Sequence, residues 1–139
     1  MNIDKVWHFS RYSQLLSLAS LTRLVRSCSE QYRAALYILA GSKELFEVSK
    51  HHVTEDEIEF ENIMTEARKQ ELGQSSYVAI DTAYCLYHTP EERPIDWYSF
   101  AALDENMLRI VLDALNIRKV RGLFPTCNEH GEMVLKFCL

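Results

Sequence analysis

Glycine and proline are scarce in this chain, four and three among 139 residues. So few breakers exclude a many-turned β fold and low-complexity disorder, and they favour helices. No apolar run approaches the roughly 20 residues needed to cross a bilayer, and Met1-Asn2-Ile3-Asp4-Lys5 has neither the basic start nor the apolar stretch of a signal peptide. The expectation is a cytoplasmic protein without a membrane segment. The four cysteines, at 28, 85, 127 and 138, show no tight spacing and read as reduced thiols rather than a disulfide framework, and Cys138 is misplaced for a prenylation box. Phosphate-cradling motifs of the GxxxxGK[ST] or GxGxxG kind are missing, which removes the common nucleotide sites.

What the chain does have is a charge pattern. The net charge is +3 from Met1 to Thr54, −10 from Glu55 to Glu105 and +2 from Asn106 to Leu139, against −5 for the whole. A concentration of one sign steers oppositely charged partners and repels a nucleic-acid backbone. The simplest alternative is a set of middle helices that display their solvated faces. With 47% hydrophobic and 25% charged residues, the chain is composed as one globular domain spanning 1–139.

Apolar spacing predicts a mainly α fold, a single-domain bundle of five to six helices with a C-terminal β-hairpin. Leu15, Leu18, Leu21, Leu24, Val25 and Cys28 mark a helix from about Ser13 to Cys28. Tyr32 to Leu39 make a second, with Gly41 as its left-handed C-cap. Ser42 caps a short helix that ends near His51-His52. Thr54-Glu55-Asp56-Glu57 has the form of a capping box opening a helix with the stripe Phe60, Ile63, Met64 and Ala67, which ends at Leu72-Gly73. Tyr77 to Tyr87 form the next helix, stopped by Thr89-Pro90. The aromatic stretch Ile95 to Phe100 leads into a helix from Asp104 to Arg118, apolar over so much of its circumference that it is expected to be central. Residues 122–138 read as the hairpin, turning over Asn128 to Gly131 and docked on the helices or another chain.

Three constellations carry candidate chemistry. Asp81, Cys85 and His88 share one helical face, as a thiol nucleophile and its base would. Nothing in this stretch supplies an oxyanion site, so no catalytic residue is assigned. Cys127 and His130 have a Cys-x-x-His spacing that His51, His52 or Cys138 could complete as a zinc site. No matching second pair exists, so neither metal nor cofactor is expected. Arg11, Arg23, Arg26 and Arg33, with Trp7, Tyr12 and Tyr32 for stacking, would be the nucleic-acid face, but a pI near 5.5 speaks against direct nucleic-acid binding.

The segments Arg33 to Gly41, Ala79 to Tyr87, Ile95-Asp96 and Phe100 to Asn106 resemble a family of small uncharacterised helical proteins of Gram-positive bacteria and their phages, over about Gln31 to Arg118. The resemblance implies a mostly helical domain and a phage or prophage setting, and no activity. The function expected is a non-enzymatic protein-interaction module. Its binding residues would be Glu55, Asp56, Glu57, Glu59 and Glu61 with Trp97, Tyr98 and Phe100, an aromatic anchor with a charged rim. In its specific form this is an inhibitor that sets an acidic face against a nucleic-acid-handling host or defence protein, of anti-CRISPR or anti-restriction type. The alternatives are a small thiol- or metal-dependent enzyme and a structural homodimer.

Overall fold

In the computed structural model, which describes residues 2–20, 29–88 and 94–137, six α-helices and one 3-10 helix precede a two-stranded sheet. The helices are α1 (Ile3–Ser20), α2 (Glu30–Leu39), α3 (Lys43–Ser49), α4 (Phe60–Lys69), α5 (Gln74–Tyr87) and α6 (Glu105–Lys119), with the 3-10 helix Trp97–Ala102 before α6. Strands β1 (Leu123–Cys127) and β2 (Met133–Phe137) pair antiparallel, Cys127 opposite Met133 and Leu123 opposite Phe137. The mainly α architecture with a terminal hairpin is as the apolar spacing predicts. None of the described helices is long and apolar enough to cross a membrane.

The centre is α2, which packs against both α5 and α6. Every residue from Tyr32 to Leu39 is buried, so the helix has no solvated face. Small residues make this possible, because Ala34 and Ala35 let neighbouring helices approach closely on sides where longer chains would hold them off. The expectation that the Asp104 to Arg118 helix would be central is therefore corrected. That helix, α6, buries Met107, Ile110, Val111, Ala114 and Ile117 but leaves Leu112 47% exposed, because Arg109, Asp113 and Asn116 occupy its other side. Its start is as expected, with Asp104 Oδ1 accepting from the Met107 N–H at 2.8 Å.

Gly41 is also corrected. It is not among the glycines with positive φ, and Ala40 closes α2 in right-handed geometry. What position 41 requires is space: a Cβ there would lie 2.9 Å from the Ile38 carbonyl oxygen and 3.1 Å from both Ile110 Cδ1 and Met107 Cε. Ser42 caps α3 as expected, its hydroxyl accepting from Leu45 N–H at 3.1 Å.

The N-terminal helix begins at Ile3, ten residues before Ser13, because His8, Tyr12, Leu15 and Ala19 form one buried stripe at helical spacing. The expected continuation through Leu21 to Cys28, with Arg23 and Arg26, lies outside the described residues, as do Thr89-Pro90 and Cys138. The helix start expected at Thr54 is overturned too, although Thr54 Oγ1 accepts from the Glu57 N–H at 3.0 Å as a capping box requires. An isolated bridge joins Val53 to Ile58, the Thr54 N–H donates to the Glu57 carbonyl at 2.9 Å, and α4 starts only at Phe60. Both Val53 and Ile58 are buried, and a chain reversal puts both into the core where a helix start at Thr54 would not. At its far end α4 stops at Lys69, and a tight link containing Glu71 (φ 52°) and Gly73 (φ 106°) leads into α5.

The hairpin docks on the helices. Its strands pack against α1, α2 and α6, with Leu123 and Met133 buried. Its loop runs over five residues, Asn128 to Glu132, one more than expected, with Asn128 Oδ1 accepting from His130 and Glu132 N–H at 2.9 and 3.0 Å.

Candidate functional site

Glu55, Asp56 and Glu57 sit exposed at the tip of the bridged loop. The loop is held from within, since Thr54 Oγ1 accepts from the N–H groups of Asp56 (3.2 Å) and Glu57 (3.0 Å) and Tyr32 donates its hydroxyl to the Asp56 carbonyl at 3.3 Å. Glu61 is exposed in the first turn of α4. Glu59 differs: it is half-buried, 3.6 Å from His52 Nδ1, and accepts from Asn62 at 3.2 Å. His52 also faces Glu66 at 3.4 Å. Three of the five carboxylates are thus gathered at one tip, the fourth begins the following helix, and the fifth is engaged inward.

The 3-10 helix carries the aromatic group. Asp96 accepts from the Tyr98 N–H at 3.1 Å, and the turn rests on α5. Phe100 is half-buried against the core, while Trp97 and Tyr98 are 60% and 93% exposed. Trp97 meets the Phe100 ring edge-on at 5.4 Å, so its indole is braced rather than free to rotate.

Asp81 is exposed on α5, Cys85 is buried with its thiol directed to the Pro94 carbonyl at 3.5 Å, and His88 packs edge-on against Tyr84 and Tyr87 at 4.6 and 5.5 Å. Cys127 is exposed, and His130 lies 3.5 Å from Glu129. Among the described residues no group of three or more His, Cys, Asp and Glu is placed to hold a metal ion. The set read as a nucleic-acid face is not a face, since Arg33, Tyr12 and Tyr32 are all buried.

A cleft of about 1340 Å³ between α1, the α2–α3 corner, α6 and β2 was not foreseen from the sequence. At its base His8 and Tyr37 meet edge-on with centroids 4.4 Å apart, and His8 Nε2 lies 2.8 Å from the Tyr37 carbonyl oxygen. A carbonyl only accepts, so Nε2 carries the proton and Nδ1 keeps its lone pair. Burial pushes the His8 pKa down to about 4, so the imidazole is neutral at pH 7. Tyr37 donates to Asp113 Oδ2 at 3.0 Å, and burial together with this carboxylate raises the phenol well above its ordinary range. Arg11 donates Nε–H to the Ala40 carbonyl at 2.8 Å, and burial lowers its pKa although Glu44 and Asp4 oppose the shift.

Charges on the cleft lining balance: Lys5, Arg11, Lys43 and Arg109 against Asp4, Glu47, Glu105 and Asp113. With the helix starting at Ile3, the stripe from His8 to Ala19 with Arg11 beside it is the local signal for polar groups carried inward on α1. Tyr37 and Asp113, 76 positions apart, give no local signal. The chain matches no family model, no curated protein and no solved structure, so residue roles rest on this geometry.

Proposed function

We propose that this protein is a non-enzymatic interaction module that anchors a protein partner on Trp97 and Tyr98. The observation that carries the reading is Tyr98, 93% exposed on a turn whose conformation Asp96 and the Trp97–Phe100 contact hold in place. Large rigid aromatics presented this way give up little conformational freedom on binding and lose much water-exposed surface. The narrower form of the proposal is a phage or prophage inhibitor that sets Glu55, Asp56, Glu57 and Glu61 into the basic groove of a nucleic-acid-handling host or defence protein. Its support is the loop tip with three exposed carboxylates, within a middle segment of net charge −10.

The test is affinity capture from a host lysate, with the protein's solution mass recorded alongside. A partner retained by the native chain should be lost from a Trp97→Ala/Tyr98→Ala variant. A variant with Glu55→Gln, Asp56→Asn, Glu57→Gln and Glu61→Gln should lose it if the acidic form is right, and raised salt should weaken the native complex. Capture indifferent to the aromatic pair removes the module reading. Capture that depends on the aromatics but ignores both salt and the carboxylates removes only the mimicry. A concentration-dependent dimer dissolved by the aromatic variant makes a second copy of this chain the partner.

A further inference from the structure

We propose that the cleft at His8, Arg11, Tyr37 and Asp113 binds a zwitterion, a free amino acid or an unblocked short peptide, whose carboxylate meets Arg11 and whose ammonium meets Asp113. The inference is independent of the partner surface, because none of the cleft's lining residues lies in the acidic loop or the 3-10 helix.

The charge balance sets the ligand class. Four cations and four carboxylates line the cleft, so a polyanion such as a nucleotide meets as much repulsion as attraction. A ligand with one charge of each sign meets a complement for both. Burial then selects the pair that acts. Arg11, Glu47 and Asp113 are the half-buried charges of the lining, the others being exposed, and Glu47 is already engaged by Lys50 at 2.6 Å. Charge pairs held away from bulk water are screened less, so Arg11 and Asp113 carry the recognition.

Both groups have capacity to spare. Arg11 uses Nε on the Ala40 carbonyl, and among the described residues its terminal Nη atoms donate no hydrogen bond. A planar guanidinium with its two terminal amines available is shaped for a carboxylate. Asp113 spends Oδ2 on the Tyr37 hydroxyl and leaves Oδ1 for a donor. The Tyr37 bond holds the carboxylate against α2, so it meets a ligand already oriented. Apolar surface is supplied by the Trp7 indole, 55% exposed, and by the half-buried β2 residues Val134 and Leu135. A cleft of about 1340 Å³ exceeds what one amino acid fills and has room for several peptide residues.

Isothermal titration of the full chain tests this with four probes: L-phenylalanine, the unblocked tripeptide alanyl-alanyl-phenylalanine, that tripeptide acetylated and amidated at its ends, and AMP. Binding of either unblocked probe is expected, with capping weakening the tripeptide about tenfold or more. Whether the amino acid or the tripeptide binds identifies the source of the zwitterion. Arg11→Lys keeps the charge but removes the fork and should weaken binding. Asp113→Asn preserves an acceptor for Tyr37, so its unfolding temperature should stay near the native value while affinity for the unblocked probe falls. A variant in which only the N-terminus is acetylated should bind native and Asp113→Asn protein alike. Equal affinity for capped and unblocked tripeptide, AMP binding in place of the zwitterions, or no binding by the folded native chain would each overturn the proposal.

Discussion

The Arg33 guanidinium carbon stands 3.8 Å above the centre of the Phe124 ring, and this contact ties the most buried helix to the terminal hairpin. Arg33 is 2% exposed, so its long side chain is covered by the fold while its planar head meets an aromatic face. Replacing Phe124 by Leu keeps the apolar volume roughly and deletes the ring. A stability loss of about 1–2 kcal/mol is expected, as for a desolvated cation–π pair. Chemical denaturation of the variant beside Arg33→Lys measures it, since an ammonium cannot stack as the guanidinium does.

Gly41→Ala should destabilise the protein by roughly 1–3 kcal/mol, the usual range for forcing extra volume into a packed site. The new methyl would press on the Ile38 carbonyl at 2.9 Å, backbone that cannot swing aside, as well as on the side chains of Ile110 and Met107. A thermal melt decides it, and an unchanged midpoint would mean that α6 shifts freely against the α2–α3 corner.

Asp104→Ala removes the acceptor for the Met107 N–H and the partner of the Ser75 hydroxyl, which accepts from the Asp104 N–H at 3.1 Å. A loss of about 1 kcal/mol follows from the missing cap. Asp104→Asn should recover most of it, which separates capping from charge.

Acid should unfold the protein partly through His8. Its folded pKa of about 4 lies below the ordinary 6.5, so the unfolded chain takes up a proton that the folded chain refuses. Well above pH 6.5 neither state is protonated and no stability depends on this group. As pH falls from 6.5 towards 4, stability drops by up to about 1.4 kcal/mol per pH unit, roughly 3 kcal/mol across the window. His8→Gln can still donate towards the Tyr37 carbonyl and cannot titrate. Its stability curve between those pH values should be flatter than the native one, and equal slopes would remove His8 as the cause.

Helix content was legible because apolar spacing and capping residues act locally. Leu45 to Val48 behind Ser42, the Asp104 start and the Phe60, Ile63, Ala67 stripe all appear where their periodicity places them. The misreadings have a common cause. Thr54 to Glu57 satisfies the local rules of a capping box, yet burial of both Val53 and Ile58 is worth more than one turn of helix, and the segment folds as a bridged loop. Gly41 stands where a left-handed cap belongs, but what its position requires is the absence of a Cβ, since Ile110 and Met107, far along the chain, close over it.

The residues proposed to bind a partner were visible as composition, three consecutive acids and an aromatic run, and their exposure was not. A mainly helical chain with an acidic middle and a terminal hairpin follows from local patterning, because hydrogen bonds within each segment and the spacing of its apolar residues suffice for that. Long-range packing sets α2 rather than α6 at the centre and leaves Tyr98 facing water. It alone brought His8, Arg11, Tyr37 and Asp113 to one cleft. Those outcomes rest on packing between residues distant in sequence, which no local pattern encodes.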